Sequence, residues 1–303
     1  MSWFPLPPTI ETVVHTELPA AFRKPAVRWS RRKKDGQPLD SFLEGPCFDP
    51  NGNLFVVDIA HGRVFRITPA GVWHCVVEYD GEPNGLVRHP DGRFIIADQK
   101  NGLLALDPAN GALSPFLTRR NDERFKGVND LIFARNGDLY FTDQGQTGLH
   151  DPTGRVFRLH PDGKLDCLLD NGPSPNGLVL SLDEDVLFVA MTRDNAVWRV
   201  PLMRDGGTTK VGRFASFHGT SGPDGLAVDG AGNLLIAHAS LASVFVVGPQ
   251  GEPVARIKAC RGRTVTNLTF GGPALDQVFI TESETGSVLR ARWSGAVESG
   301  LES

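Results

Sequence analysis

Six segments of similar pattern recur along this chain at intervals of 40 to 48 residues, and this repeat constrains the fold more than any other feature. The segments start at Glu44, Asn84, Asn129, Asn176, Asp224 and Thr266. Seven positions after each start lies a turn pair, such as Asn51-Gly52 or Asp91-Gly92, with a short apolar run on either side. Two apolar runs around such a turn predict a β-hairpin in every repeat.

Each repeat continues with further strand-like segments. A third apolar run follows every hairpin, as in RVFRIT at 63–68, and most repeats offer a fourth, as in WHCVVEY at 73–79. Four antiparallel strands at this period are typical of a β-propeller blade. We therefore predict an all-β fold, a six-bladed β-propeller with four-stranded antiparallel blades. The sixth repeat lacks an evident fourth strand, so we expect the N-terminal stretch TIETVVH (9–15) to supply it and close the ring.

The composition agrees with this fold and excludes several functions. With 34 glycines and 22 prolines, the chain is interrupted too often for many long helices. We interpret 1–303 as a single propeller domain, with 1–40 as an N-terminal closing strand and loop. A net charge of -4 argues against a nucleic-acid partner, and the absence of a long apolar run or a signal-like start argues against a membrane partner or export. Four widely separated cysteines predict reduced thiols and a cytoplasmic location.

The starting residues of the repeats are candidates for a functional site. First strands of propeller blades surround the central channel, so these six residues should meet at one end of it. We call them the ring positions and that end the mouth. All six side chains carry oxygen, and the carboxylates of Glu44 and Asp224 would repel one another unless a proton or cation lay between them. Carboxylate and amide oxygens suit a hard divalent cation, so we expect one calcium ion, with magnesium, manganese or zinc as alternatives.

Two other interpretations of the ring stay open. Asn-Gly and Asp-Gly pairs also mark tight turns in repeat proteins, which applies above all to Asn84. A cation at the mouth could also be purely structural and plug the channel.

A second row of residues should lie at the mouth, where the second strand of each hairpin ends. These positions are Asp58, Asp98, Asp143, Ala190, His238 and Glu282. Most of their polar side chains should accept hydrogen bonds from loop amides, although they could also orient ligands. Three long loops, 30–42, 118–127 and 145–154, should form a lid over the mouth. We assign no catalytic role to His150, which lies in the last of them.

Several motifs resemble the SMP-30/gluconolactonase/regucalcin family. They are LEGPCFD (43–49), KGVNDL (126–131), SPNGLVLS (174–181), GPDGLAVD (222–229) and TESETGSV (281–288), and they fall in the order of that family. The resemblance extends from about residue 40 onward and implies a six-bladed propeller with one divalent cation at the mouth, in a family that includes many lactonases.

The resemblance also implies roles for individual residues. Glu44, Asn176 and Asp224 match the metal ligands, and Asp224 also matches the general base. Asn129 matches a substrate-binding, metal-facing position, and we assign Asn84 to substrate binding as well. Sugar-lactonase relatives often carry an Arg two residues before the Asn that corresponds to Asn129, whereas this chain has Gly127 there. Specificity for sugar lactones is therefore not implied.

These observations predict a divalent-metal-dependent hydrolase that opens a lactone. The cation would polarise the lactone carbonyl, and Asp224 would take a proton from the attacking water. The expected partner is a small-molecule lactone or ester. Two alternatives stay open: a non-enzymatic binding propeller with a structural cation, and a metal-dependent phosphotriester or aryl-ester hydrolase.

Overall fold

The predicted six-bladed β-propeller is confirmed. The computed structural model describes residues 6–33, 36 and 39–293, and their strands form six blades. From the channel outward, blade 1 contains Leu43–Phe48, Leu54–Asp58, Arg63–Ile67 and Trp73–Glu78, and blade 2 contains Pro83–Arg88, Phe94–Asp98, Gly102–Leu106 and Leu113–Leu117. Blade 3 contains Val128–Phe133, Leu139–Asp143, Gly154–Leu159 and Leu165–Gly172, and blade 4 contains Pro175–Leu180, Val186–Met191, Ala196–Pro201 and Gly212–Ser216. Blade 5 contains Pro223–Val228, Leu234–His238, Ser243–Val247 and Pro253–Lys258.

The N-terminal segment closes the ring in a more complex way than expected. Blade 6 contains Val265–Gly271, Gln277–Glu282 and Ser287–Arg292, and Val13–Glu17 pairs antiparallel with the last of these as the outer strand. Only part of the stretch 9–15 makes this pairing. Thr9–Glu11 instead adds a fifth strand to blade 5, parallel to Pro253–Lys258. The segment therefore bridges the two blades on either side of the closure.

The region between the closing strand and blade 1 is not simply a loop. An α-helix spans Val27–Lys33, where we expected the loop 30–42 to begin, and a short 3-10 turn spans Ala20–Phe22. Two further 3-10 turns, Ile59–His61 and Thr192–Asp194, follow the second strands of blades 1 and 4. The helix exists because Trp29 packs on Phe42 and Ile59, a tertiary contact that the repeat pattern does not encode. Residues 34, 35, 37 and 38 of this predicted lid lie outside the described residues. A small hairpin, Arg119–Arg120 with Glu123–Arg124, forms in the predicted loop 118–127.

The core lies between neighbouring blades. Each interface has its own apolar cluster; Val87 and Ile95 of blade 2, for example, pack with Leu131, Phe141 and Phe157 of blade 3. The last interface is filled in the same way, since Phe279 and Val288 of blade 6 join the cluster of blade 1. Alternating strand residues thus bury both faces of every blade, which fixes the first strands around the channel. No described helix is long and apolar enough to cross a membrane.

Candidate functional site at the channel mouth

Five of the six ring positions line one cavity at the mouth. This cavity has a volume of about 660 Å³, and its lining includes Glu44, Asn84, Asn129, Asn176 and Asp224. Thr266, the sixth ring position, is fully buried, and its hydroxyl donates a hydrogen bond to the Leu43 carbonyl oxygen of the neighbouring blade at 2.9 Å. A short side chain satisfied by the backbone is not available to a ligand, so our expectation of six converging oxygens is wrong at this position.

Carboxylates at the ends of second strands hold the ring positions in place. In four blades such a carboxylate accepts a hydrogen bond from the backbone amide that lies two residues before the ring position. The pairs are Asp58 with Phe42 N (2.8 Å), Asp98 with Glu82 N (2.9 Å), Asp143 with Gly127 N (2.8 Å) and Glu282 with Thr264 N (3.2 Å). These second-row carboxylates therefore accept hydrogen bonds from loop amides, as expected, and position the start of the first strand in four blades.

The acidic residues of the mouth share a low-dielectric environment. Glu44 is 3% exposed, and its Oε2 accepts a hydrogen bond from the Gly45 amide at 2.8 Å. Burial raises the pKa of Glu44 well above its ordinary value, and the negative charges of Asp224 and Asp130 raise it further. The three carboxyl groups are thus near enough to interact, and a positive charge among them would favour the ionised form of Glu44.

Asp130 and Asn267 form a polar pair beneath the ring that sequence reasoning missed. They occupy equivalent positions in blades 3 and 6, which lie on opposite sides of the channel, and Asn267 Nδ2 lies 3.4 Å from Asp130 Oδ2. Burial raises the pKa of Asp130 to about 7. The Asn267 side chain also forms a hydrogen bond with Glu44, so the Asp130–Asn267 pair is linked to the ring positions.

A comparison of the six repeats indicates this pair. The residue after the ring position is glycine in the other four repeats, and only blades 3 and 6 place a functional group there. Two of these glycines give the pair its space. A Cβ atom on Gly85 would lie 2.5 Å from Asp130 Oδ1, and one on Gly225 would lie 2.1 Å from Asn267 Oδ1.

The amides of the ring leave oxygen atoms for a ligand. Asn129 donates through Nδ2 to Gln144 Oε1 at 3.1 Å, while its buried Oδ1 has no hydrogen-bond partner among the described residues. Asn176 donates through Nδ2 to Thr192 Oγ1 at 3.1 Å, which orients its amide. A buried acceptor without a donor costs about 1–3 kcal/mol, and a cation would remove that cost. Within the described part of the chain, no three His, Cys, Asp or Glu side chains form a metal cluster, so a site here depends on amide oxygens as well.

These observations fit a hard divalent cation. A buried Glu44 whose proton affinity is raised by the nearby Asp224, and an amide oxygen of Asn129 without a donor in the described part of the chain, are the groups that such an ion neutralises and coordinates. The described lining of this cavity contains no cysteine, and its histidine, His150, lies in the loop above the ring.

The predicted lid covers the mouth only in part. Residues 145–150 line the cavity, whereas none of the described residues 118–127 does. The ammonium group of Lys126 does not replace an Arg at Gly127, because its Nζ donates to the Thr153 carbonyl oxygen at 2.8 Å. Arg193 and His150 instead supply the basic side chains of the described cavity lining.

His238 of the second row is a buried histidine rather than a mouth residue. It packs against Phe217 and Phe245, and its Nδ1 has no hydrogen-bond partner within the described residues. Burial lowers the pKa of His238 to about 4. Because the unfolded chain takes up this proton near pH 6.5, the folded state loses stability as the pH falls from about 6.5 to 4.

Replacing His238 with glutamine should therefore flatten the acid limb of the stability profile. Urea unfolding at pH 7 and pH 4.5 measures the change, and we expect the wild-type protein to lose up to about 3 kcal/mol more than the variant. Replacing the exposed His74 serves as the control. Equal losses in wild type and His238→Gln would show that the imidazole is protonated in the folded state.

Comparisons with known proteins place this site in context. The family model described as SMP-30/Gluconolactonase/LRE-like region matches residues 42–284. A gluconolactonase of Zymomonas mobilis is 28% identical over 94% of this chain and 84% of that protein, and the lactonase drp35 of Staphylococcus epidermidis is 31% identical over 71% of this chain and 69% of that protein. The crystal structure of a calcium-binding protein, regucalcin, from Agrobacterium tumefaciens aligns with a TM-score of 0.75 at 21% identity, over 96% of this chain and 99% of that one. At that identity, the structural match concerns the fold alone.

Proposed function

The chain belongs to the SMP-30/Gluconolactonase/LRE-like family, and on that premise we propose that it is a divalent-metal-dependent hydrolase that opens lactones. The observation that carries the proposal is the convergence of Glu44, Asp224, Asn129 and Asn176 in one cavity at the channel mouth. Relatives named gluconolactonase and lactonase support the reaction class. A binding platform would not require two interacting buried carboxylates at this place.

In this proposal, Glu44, Asn176 and Asp224 hold the cation, and the Oδ1 of Asn129, unpartnered within the described residues, faces it. A bound divalent ion supplies a Lewis acid that polarises the lactone carbonyl and offsets the negative charge that develops on its oxygen. Calcium is the ion that we expect, because the available ligands are oxygen atoms. Gly45 N fixes the Glu44 carboxylate at 2.8 Å, and Thr192 Oγ1 fixes the Asn176 amide, so both side chains are oriented before a ligand arrives.

Asp224 acts as the general base. Its carboxylate takes one proton from a water molecule as the water oxygen bonds to the carbonyl carbon of the lactone. The ring C–O bond then breaks, and the proton returns to the departing alkoxide oxygen, so that water and lactone yield one hydroxy acid. Asp224 lines the cavity and is only 8% exposed, so little of this residue faces bulk water.

Asn129 and Asn84 bind the substrate. The Gln144 carboxamide holds Asn129 Nδ2 and thereby fixes the direction of the whole Asn129 amide. Both residues line the same cavity as the two carboxylates, so they can hydrogen-bond the lactone while its carbonyl faces the metal ligands.

Lactone opening with controlled metal content tests the proposal. Proton release is followed in weak buffer with glucono-δ-lactone, alkyl lactones, phenyl acetate and a phosphotriester, before and after chelation and after return of Ca²⁺, Mn²⁺ or Zn²⁺. We expect lactones to be opened fastest, activity to disappear on chelation and one of the ions to restore it. Undiminished activity in protein shown to be free of metal would refute metal dependence, and metal-loaded protein that opens no lactone would refute the reaction class.

A further inference from the structure

We propose that the substrate is a lactone with an apolar substituent, and that Trp29, Phe42 and Ile59 form the wall on which this substituent packs. The proposal rests on the lactonase function above and specifies its substrate class. The three side chains line the same cavity as Glu44 and Asp224. We call them the apolar wall.

The apolar wall is separate from the propeller core. Its residues are 9%, 8% and 4% exposed, and they form a cluster of their own with Leu39 and Ala60, outside the clusters that fill the blade interfaces. The rings of Trp29 and Phe42 lie 5.2 Å apart at 46°. Trp29 comes from the helix Val27–Lys33, which belongs to no blade, so the chain uses an additional element to place aromatic surface at the mouth.

Trp29 presents carbon atoms to the cavity. Its Nε1 is buried and has no hydrogen-bond partner among the described residues, so the indole N–H is not within reach of a ligand in the cavity. The wall therefore offers a ligand dispersion contact and removal of apolar surface from water, and no hydrogen bond from its tryptophan. A polyhydroxylated ring placed there would lose hydrogen bonds to water without replacement.

The wall is also held rigidly beside the proposed metal ligands. Phe42 is two residues before Glu44, and its amide donates to Asp58 Oδ1 at 2.8 Å, while the Ile59 amide donates to the Phe42 carbonyl oxygen at 3.0 Å. A rigid apolar surface binds an alkyl or aryl group at little entropic cost.

Apart from Leu149 and Ala239, the other side chains that line the cavity are polar, which gives the cavity two sides. Gln144, Gln146 and Arg193 come from blades 3 and 4, and blade 4 lies opposite blade 1 in the ring. A cavity of about 660 Å³ is of the size that holds drug-sized ligands, so it has room for a substituent beyond the lactone ring itself. We infer that the lactone ring lies over Glu44 and Asp224, with its apolar group toward blade 1 and its polar atoms toward blades 3 and 4.

Steady-state kinetics on three lactones test the wall. The metal-loaded protein is assayed with γ-butyrolactone, with the same ring carrying a six-carbon alkyl chain, and with glucono-δ-lactone. We expect kcat/KM to be highest for the alkyl lactone, by at least about tenfold over the unsubstituted ring. Trp29→Ala should raise KM for the alkyl lactone roughly tenfold or more and lower kcat/KM for γ-butyrolactone much less.

Two further variants separate lost contact from lost folding. Trp29→Phe should restore most of the preference, and Trp198→Ala, which removes a partly buried tryptophan of blade 4, should leave the preference unchanged. Thermal unfolding of each variant reports on folding independently of activity. Equal rates on all three lactones in the wild type would overturn the proposed role of the apolar wall while leaving lactone opening intact. An equal loss of kcat/KM on substituted and unsubstituted rings in Trp29→Ala would do the same. Failure to open any of the three would instead refute the proposed function.

Discussion

Asp224→Asn is expected to lower kcat for lactone opening by roughly a thousandfold, the range that a positioned general base supplies. Asparagine keeps the size and one oxygen of the side chain but does not accept the proton of the attacking water. The loss should appear in kcat more than in KM, because Asn129 and Asn84, which we assign to substrate binding, are unchanged. Stopped-flow or pH-indicator assays at saturating metal measure it.

Asp229→Asn is the matched control. Asp229 directly follows the strand Pro223–Val228 that begins with Pro223 and Asp224, so it lies at the opposite end of the same strand, where it accepts hydrogen bonds from Asn233 N at 2.8 Å and Trp293 Nε1 at 2.9 Å. Its replacement should lower the melting temperature and leave kcat nearly unchanged. If Asp224→Asn keeps the wild-type kcat at saturating metal, Asp224 is not the general base.

The architecture could be predicted from sequence because the repeat sets the register of every blade. Once one Asn-Gly or Asp-Gly turn is aligned, residues seven positions earlier in each repeat must begin a channel strand, and this placed Glu44 and Asp224 at one mouth. Pairing of the N-terminal segment was only partly predictable, since Thr9–Glu11 and Val13–Glu17 have similar strand-like composition and only the closed ring shows that they join different blades.

Contacts across the channel could not be predicted in the same way. Asp130 and Asn267 are 137 residues apart, and their approach depends on blades 3 and 6 lying opposite each other. The helix around Trp29 likewise depends on packing on Phe42 and Ile59, because a helix of only seven residues, three of them arginines and one a lysine, has little intrinsic stability. Thr266 offers no oxygen to a ligand for a local reason, because its hydroxyl donates a hydrogen bond to the Leu43 carbonyl oxygen of blade 1.

Glu44→Gln is expected to stabilise the metal-free protein and to remove most of the stabilisation that metal gives. In the wild type, burial and the carboxylates of Asp224 and Asp130 raise the pKa of Glu44, so without a cation the folded state loses stability as the pH rises from about 4.5 through that raised pKa. Metal-free Glu44→Gln should therefore melt at a higher temperature than metal-free wild type at pH 8, because glutamine carries no charge to bury.

Addition of Ca²⁺ should reverse this order. An ion at a hundred times its Kd adds about 2.7 kcal/mol to the wild type, a rise in melting temperature of roughly 4 °C for a chain of this size, and the gain should shrink toward pH 5 as protons compete for Glu44. Glu44→Gln should gain little at either pH, because it lacks the carboxylate that the ion neutralises. Differential scanning calorimetry of both proteins with and without Ca²⁺ at pH 5 and pH 8 gives the comparison. Equal gains in the two proteins would mean that the ion binds away from Glu44, whereas a wild-type gain independent of pH would mean that Glu44 binds the ion without releasing a proton.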